Sequence, residues 1–373
     1  MFDASFTLQR EKHGICRRKI LSNTSIIKGN KLVISANSVF KKITIIDKRG
    51  VACDDRETFN VSWGVDTNYQ IGVAISIASI LEKNKEQEKE FTFHIIADDF
   101  SDEYQSRLSK LATQYRTVIK LYEIDPNPLK KLPKTDIWPI SIYYRLISFD
   151  YFSDKLNTLL YLDADIVCQS EVGELLHLNL ERKYGAVVVD VESMQEKSAE
   201  RLGNAAFHGT YFNSGVMLIN MLEWRANRLT QKSFDLLSDE KIVSRLKYPD
   251  QDILNILLLG HALLLPRKFN TVFTLKSEFE DKNPDAYKQI LRDDTVFIHY
   301  TGITKPWHDW ADYASARFFR DIYKISPWSD IKYVHATKVY ELKEKYKHLL
   351  HQGKTIAGLA TAVKYNVKKI FKN

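Results

Sequence analysis

Asp163-Ala164-Asp165 follows directly on the apolar run Thr158 to Leu162, setting two carboxylates together where a buried strand surfaces. In an extended chain residues i and i+2 point to the same face, so both carboxylates can reach one cation that relieves their mutual repulsion. Hard oxygen ligands favour Mg²⁺ or Mn²⁺, and a site with few protein ligands keeps positions open for water or a substrate diphosphate. The same pair also suits a solvated turn, so other residues must decide between the two.

The nonamer His299-Tyr300-Thr301-Gly302-Ile303-Thr304-Lys305-Pro306-Trp307 supplies complementary chemistry. A histidine at a strand end can add a nitrogen ligand to a metal site, although alone it equally suits a packed core. Gly302 admits phosphate close to the backbone, and Lys305 is a point charge suited to a diphosphate. In Val65-Asp66-Thr67-Asn68-Tyr69 the ring could stack on a base while Asp66 and Asn68 bond its edge or a ribose, or the run could be an ordinary turn. Asn213, Asp250, Gln251 and Asp252 are short polar groups at the openings of an expected strand and helix, placed to hold sugar hydroxyls, with helix capping the alternative for Asp250. Arg145 could reach phosphate from its helix, or stay at the surface.

From Asn60 the pattern alternates strands and helices. Strands are predicted at 61–65, 91–97, 119–124 and 158–162, with helices at 73–81, 103–114 and 142–152 between them. Such a succession implies an α/β fold with a mostly parallel sheet, whose ligands bind at the carboxyl ends of the strands. Asp66 and Asp163 sit at two of those ends. Further strands are predicted at 185–189, 215–220 and 296–299, and helices at 222–237 and 251–259. Residues 1–56 read as a β-rich extension, with strands at 32–34 and 43–46 and turns at 28–30 and 48–50. A main domain is expected over 57–325, with a nucleotide-binding part at 57–190 and a sugar and acceptor part at 191–325. A helical tail follows over 326–373.

The charge is unevenly spread. Residues 331–373 hold ten lysines against Glu341 and Glu344, a sum of +8 within a whole-chain net charge of +7, leaving −1 for the rest. A basic groove across the main fold is therefore not expected, and neither is a nucleic-acid partner. Cys16, Cys53 and Cys168 fit neither a disulfide framework nor a zinc signature, and are expected to be reduced. The first twenty residues carry no apolar signal core, and the apolar stretch near Ile253 to Pro266 is too short and interrupted to span a bilayer, so a cytosolic protein is expected.

Taken in order, Val65 to Tyr69, Tyr144-Arg145-Leu146, Leu162 to Asp165, Asn213-Ser214-Gly215, Asp250-Gln251-Asp252 and the His299 nonamer resemble glycosyltransferase family 8. Within it the chain resembles the bacterial lipopolysaccharide core glucosyl- and galactosyltransferases, over roughly Asn60 to Trp328. The resemblance implies a GT-A-type fold and a retaining transfer of hexose from UDP-glucose or UDP-galactose. By it, Asp163, Asp165 and His299 match Mn²⁺ ligands, and Val65, Asp66, Asn68 and Tyr69 the uridine-binding positions. Gly302 and Lys305 correspond to diphosphate contacts, and Arg145, Asn213, Asp250 and Gln251 to donor-sugar contacts. Thr67 departs from the pattern where an acidic residue is common.

A cation and Lys305 would offset charge developing on the leaving diphosphate. The residue that the resemblance places nearest the anomeric carbon is Gln251, a feeble nucleophile, so front-face attack is favoured, with Asp252 the candidate if a carboxylate nucleophile exists. Ile356, Leu359, Val363, Val367 and Ile370 recur at spacings of three and four among Lys364, Lys368, Lys369 and Lys372, describing a cationic amphipathic helix. It either docks on the protein's own core or attaches peripherally to the anionic cytoplasmic face of the inner membrane, where a lipid-linked oligosaccharide acceptor would lie. Other acceptors and a non-catalytic nucleotide-sugar-binding scaffold are the competing readings.

Overall fold

The computed structural model describes residues 9–10, 15–19, 34, 36–50, 58–86, 90–135, 138–281, 283 and 285–371. The turn expected at 28–30, residues 32 and 33 of an expected strand, Cys53, the Cys16 side chain and Lys372 lie outside what is described.

Four parallel strands form the centre of the main sheet, in the spatial order Val118–Ile124, Phe91–Ala97, Phe59–Gly64 and Thr158–Leu162. All seven residues of Phe91–Ala97 are buried, as expected of a strand covered on both faces. Helix Gln70–Lys83 buries eleven of its fourteen residues between the main sheet, the short strand Ile166–Cys168 and helix Arg317–Ile325. Antiparallel strands extend both flanks. Phe40–Asp47 pairs with Val118–Ile124, so the segment expected as an N-terminal extension contributes to the same sheet, followed outward by Ile15–Lys19 and Gln9–Arg10. On the other flank Phe212–Asn220 runs antiparallel to Thr158–Leu162, Gly185–Val189 antiparallel to that, and Ala262–Leu264 parallel to Gly185–Val189.

A second sheet carries the chemistry to its place. Its strands are Thr271–Thr274, Phe297–Thr301 and Ile166–Cys168, with His299 paired opposite Ile166. Asp163-Ala164-Asp165 is the link between the central sheet and this smaller one, and the Asp165 carbonyl accepts the Tyr300 N–H at 3.0 Å.

Three predicted elements differ in detail. The helix expected over 222–237 is two helices, Met221–Ala226 and Leu229–Leu237, because Arg228 adopts φ 52° between them. The helix expected from 142 begins as a 3₁₀ turn, Ile140–Tyr143, and becomes α-helical over Tyr144–Phe152. The strand expected from 215 begins earlier, at Phe212, where the Asn255 side chain holds both backbone groups of that residue. The tail forms a pair of helices, Val339–His351 and Thr355–Ile370. Among the described residues no helix is long and apolar enough to cross a membrane.

Candidate active site

Strand direction explains why distant motifs meet. Thr158–Leu162 ends at Asp163, and the antiparallel strand Phe212–Asn220 begins there, so the Asp163 N–H donates to the Gly215 carbonyl at 2.8 Å. The pairing of Phe297–Thr301 with Ile166–Cys168 then brings His299 beside Asp165. His299 Nε2 lies 3.1 Å from Asp165 Oδ1 and 3.9 Å from Asp163 Oδ2. Gly215 makes room for the imidazole, since a Cβ there would stand 2.3 Å from His299 Cε1.

One ligand atom from each of Asp163, Asp165 and His299 can be chosen so that all lie within 4.8 Å of one another. The other oxygen of each carboxylate is already held by a cationic side chain. Arg145 Nη2 donates to Asp163 Oδ1 at 2.7 Å, and Lys305 Nζ donates to Asp165 Oδ2 at 2.5 Å. Two carboxylate oxygens and an imidazole nitrogen thus converge, a donor set that fits a divalent cation taking mixed oxygen and nitrogen ligands.

The electrostatics follow from this packing. Burial works against the Asp165 charge, but Lys305 and then His299 outweigh it and hold the carboxyl well below its ordinary range. Burial likewise opposes a proton on His299, yet Asp165 and then Asp163 raise its pKa overall. Arg145 is buried, and the neighbouring Asp250, Tyr161 and Asp163 more than offset the cost, so its proton is held more firmly still. Its Nε is 3.0 Å from Asp250 Oδ2, its Nη1 donates to Ser214 Oγ at 2.7 Å, and its guanidinium lies over the Tyr161 ring. For Asp250, burial exceeds the pull of Arg145 and raises its pKa.

These groups line a cleft of about 1130 Å³. Val65, Asp66, Asn68, Tyr69, Arg145, Asp163, Asp165, Asn213, Asp250, Gln251, His299, Gly302 and Lys305 all border it. Asp66 Oδ1 accepts the Asn68 N–H at 2.9 Å, capping the 3₁₀ turn Thr67–Tyr69. Gly302 has φ +87°, a conformation that side chains rarely adopt. Gln251 has its amide fully engaged: Oε1 accepts the Ser214 N–H at 3.1 Å, and Nε2 donates to Asp190 Oδ2 and Tyr211 Oη, both at 3.2 Å.

Asp252 is the exception among the expected residues and does not line the cleft. Its carboxylate is 0 % exposed and accepts from both Arg201 Nη atoms, Tyr211 Oη and the backbone N–H groups of Lys247 and Tyr248, at 2.6–3.0 Å. Helix Pro249–Leu258 turns about 100° per residue, so positions two apart face nearly opposite ways, whereas the same spacing in the extended Asp163-Ala164-Asp165 shares a face. A carboxylate nucleophile at Asp252 is thereby excluded in this arrangement.

Sequence reasoning missed four contributors. Asp190 is buried at the end of Gly185–Val189 and borders the cleft, by the same strand-end logic as Asp163. Asn270 bonds His299 and Asn213 from a buried position that no local pattern marks. Lys338 and Tyr340 bring the tail to the cleft wall, within electrostatic reach of Tyr69.

Comparison with known proteins agrees with this geometry. The chain is 64 % identical over 330 residues to a lipopolysaccharide 1,2-glucosyltransferase of Escherichia coli, covering 88 % of this chain and 97 % of that one. It is 39 % identical over 321 residues to a lipopolysaccharide 1,3-galactosyltransferase of Salmonella typhimurium strain LT2, covering 85 % and 93 %. Among solved structures, the galactosyltransferase LgtC in complex with donor and acceptor sugar analogs superposes with a TM-score of 0.59 at 22 % identity, over 77 % of this chain and all of that one. That likeness shows the fold, a GT-A architecture. The family model for glycosyl transferase family 8 matches residues 60–311, the model for its C-terminal region matches 313–369, and the chain belongs to glycosyltransferase family 8.

Proposed function

We propose that the chain transfers a hexose, with retention of anomeric configuration, from UDP-glucose or UDP-galactose to the outer core of lipopolysaccharide. The observation that carries the reading is the convergence of Asp163, Asp165 and His299 within a cleft that also holds Lys305, Arg145 and Gln251. The relatives' names support the acceptor, and they include both a glucosyl- and a galactosyltransferase. A divalent cation, Mn²⁺ or Mg²⁺, held by the three side chains would supply Lewis-acid stabilisation of the UDP leaving group.

The chain's own residues do the rest. Lys305 Nζ lies beside Asp165 where negative charge develops as the bond from sugar C1 to the β-phosphate breaks. Val65, Asp66, Asn68 and Tyr69 hold the uridine, and Gly302 lets the diphosphate approach the backbone. Arg145, Asn213, Asp250 and Gln251 surround the donor sugar. With Gln251 engaged as an amide and Asp252 turned away, the acceptor hydroxyl attacks from the face the diphosphate leaves, and its proton passes to the departing phosphate oxygen. Bond making and breaking balance without a covalent glycosyl-enzyme.

The last helix supports a second part of the reading, peripheral attachment to the anionic cytoplasmic face of the inner membrane. Ile356, Leu359, Val363, Val367 and Ile370 are exposed, Ile356 at 88 %, so this apolar face is not docked on the protein's own core. Exposed Lys364, Lys368 and Lys369 accompany it.

Purified protein incubated with UDP-glucose or UDP-galactose and a truncated lipopolysaccharide core, with and without Mn²⁺, tests the function. Metal-dependent UDP release with one donor, and a new α-linked hexose on the core, is the expected result. Release of UDP with no glycan product on any core acceptor would direct the chemistry to a different acceptor.

A further inference from the structure

We infer that Asn270 is a positioning residue that ties the metal-facing imidazole and a sugar-facing amide into one hydrogen-bonded unit. The inference rests on reading Asp163, Asp165 and His299 as ligands of a divalent cation. Asn270 is 0 % exposed and stands between the 3₁₀ turn Arg267–Phe269 and the strand Thr271–Thr274.

Its amide orientation follows from a backbone group. The Gly215 N–H, which can only donate, reaches Asn213 Oδ1 at 3.0 Å, so the Asn213 oxygen points inward. Asn270 must then present its NH₂ to that oxygen, and Nδ2 does so at 2.9 Å. Asn270 Oδ1 is what remains for His299, and it lies 3.1 Å from Nδ1. A carbonyl oxygen only accepts, so His299 Nδ1 carries the hydrogen. The bare lone pair of the neutral ring is on Nε2, the nitrogen that faces Asp165 and Asp163.

Two consequences follow. The neutral imidazole is held in the tautomer and rotation a ligand needs, which is the part an outer-shell partner plays for a metal-bound histidine. The Asn213 oxygen is also fully used inside the protein, leaving its NH₂ as the group available to the sugar pocket. A single buried amide therefore sets the histidine at the metal centre and the polarity Asn213 shows to a donor sugar.

The test uses the full chain and Mn²⁺ alone as probe, followed by electron paramagnetic resonance titration. Asn270→Leu removes the acceptor, and Mn²⁺ affinity is expected to fall about 10- to 100-fold. Asn270→Asp restores an acceptor for the Nδ1–H but not the donor to Asn213 Oδ1, and is expected to recover part of that affinity. Nitrogen-15 spectra of the metal-free parent, recorded above the imidazole titration range, are expected to show His299 as the Nδ1–H tautomer, a readout independent of how the variants fold. Parental Mn²⁺ affinity in a folded Asn270→Leu chain, or an Nε2–H tautomer in the parent, would overturn the inference alone. A parent that binds no Mn²⁺ would overturn the metal reading together with it.

Discussion

Each carboxylate of the Asp163 and Asp165 pair has one oxygen held by a cationic side chain and the other turned toward His299. This division lets two partly buried acids sit together while keeping a ligand atom on each. Lys305 spans both roles, bonding Asp165 and the Tyr300 carbonyl from a buried position. Replacing it by methionine is expected to lower the turnover number about 10²- to 10³-fold, the range for losing one preorganised charge at a developing anion, while UDP-sugar KM changes less. Steady-state kinetics of Lys305→Met check this. Asp252 is predicted to act through stability: Asp252→Asn leaves Arg201 without its charge partner and is expected to cost roughly 3 kcal/mol in denaturant unfolding. The acid pair was legible because adjacency on a strand implies a shared face. Asp252 was misjudged because three consecutive polar residues do not reveal that a helix sends the third the other way, and Asn270 carried no signal since its partners lie 29 and 57 residues distant.

At the scale of elements, the strands and helices around the cleft were readable because the strands are short runs rich in apolar and β-branched residues, while helices such as Asp102–Tyr115 repeat apolar residues at spacings of three and four. Pairing was not readable: nothing in Phe297–Thr301 announces that its neighbour is Ile166–Cys168, yet that pairing completes the cluster of Asp163, Asp165 and His299. Spacing in the last helix identified its apolar face but not what faces it. The helix before it is clamped to the segment that follows strand Phe297–Thr301 through His348, whose Nε2 meets Thr304 Oγ1 at 3.1 Å and whose Nδ1 meets Tyr313 Oη at 2.5 Å. Burial first, then the charges of His351, Lys347 and Lys276, push the His348 pKa down to about 4. Because the unfolded value is higher, near 6.5, the unfolded chain takes up this proton first, so the contribution is present above about pH 6.5 and is lost as pH falls toward about 4. The melting temperature is accordingly expected to drop by a few degrees between about pH 7 and about pH 5, and less in His348→Gln. Equal pH dependence in both chains would remove His348 from the explanation.

On the scale of the whole molecule, charge and chemistry are separated. The positive excess lies in the tail, whose two helices pack on each other, with Lys338 and Tyr340 at the cleft wall and the apolar face of the last helix exposed. Ile356→Ser with Val363→Ser is expected to weaken sedimentation with vesicles containing anionic lipid, without changing UDP release in solution. The composition located the charge, but only the tertiary packing shows that the tail also borders the cleft. The proposed chemistry centres on one cation held by Asp163, Asp165 and His299. Anomalous diffraction from Mn²⁺-soaked crystals tests that directly. The expected result is a single peak in the cleft about 2.0–2.2 Å from a carboxylate oxygen of Asp163, one of Asp165 and Nε2 of His299. A soaked crystal with no peak at these three atoms, or with Mn²⁺ bound elsewhere in the cleft, would contradict it.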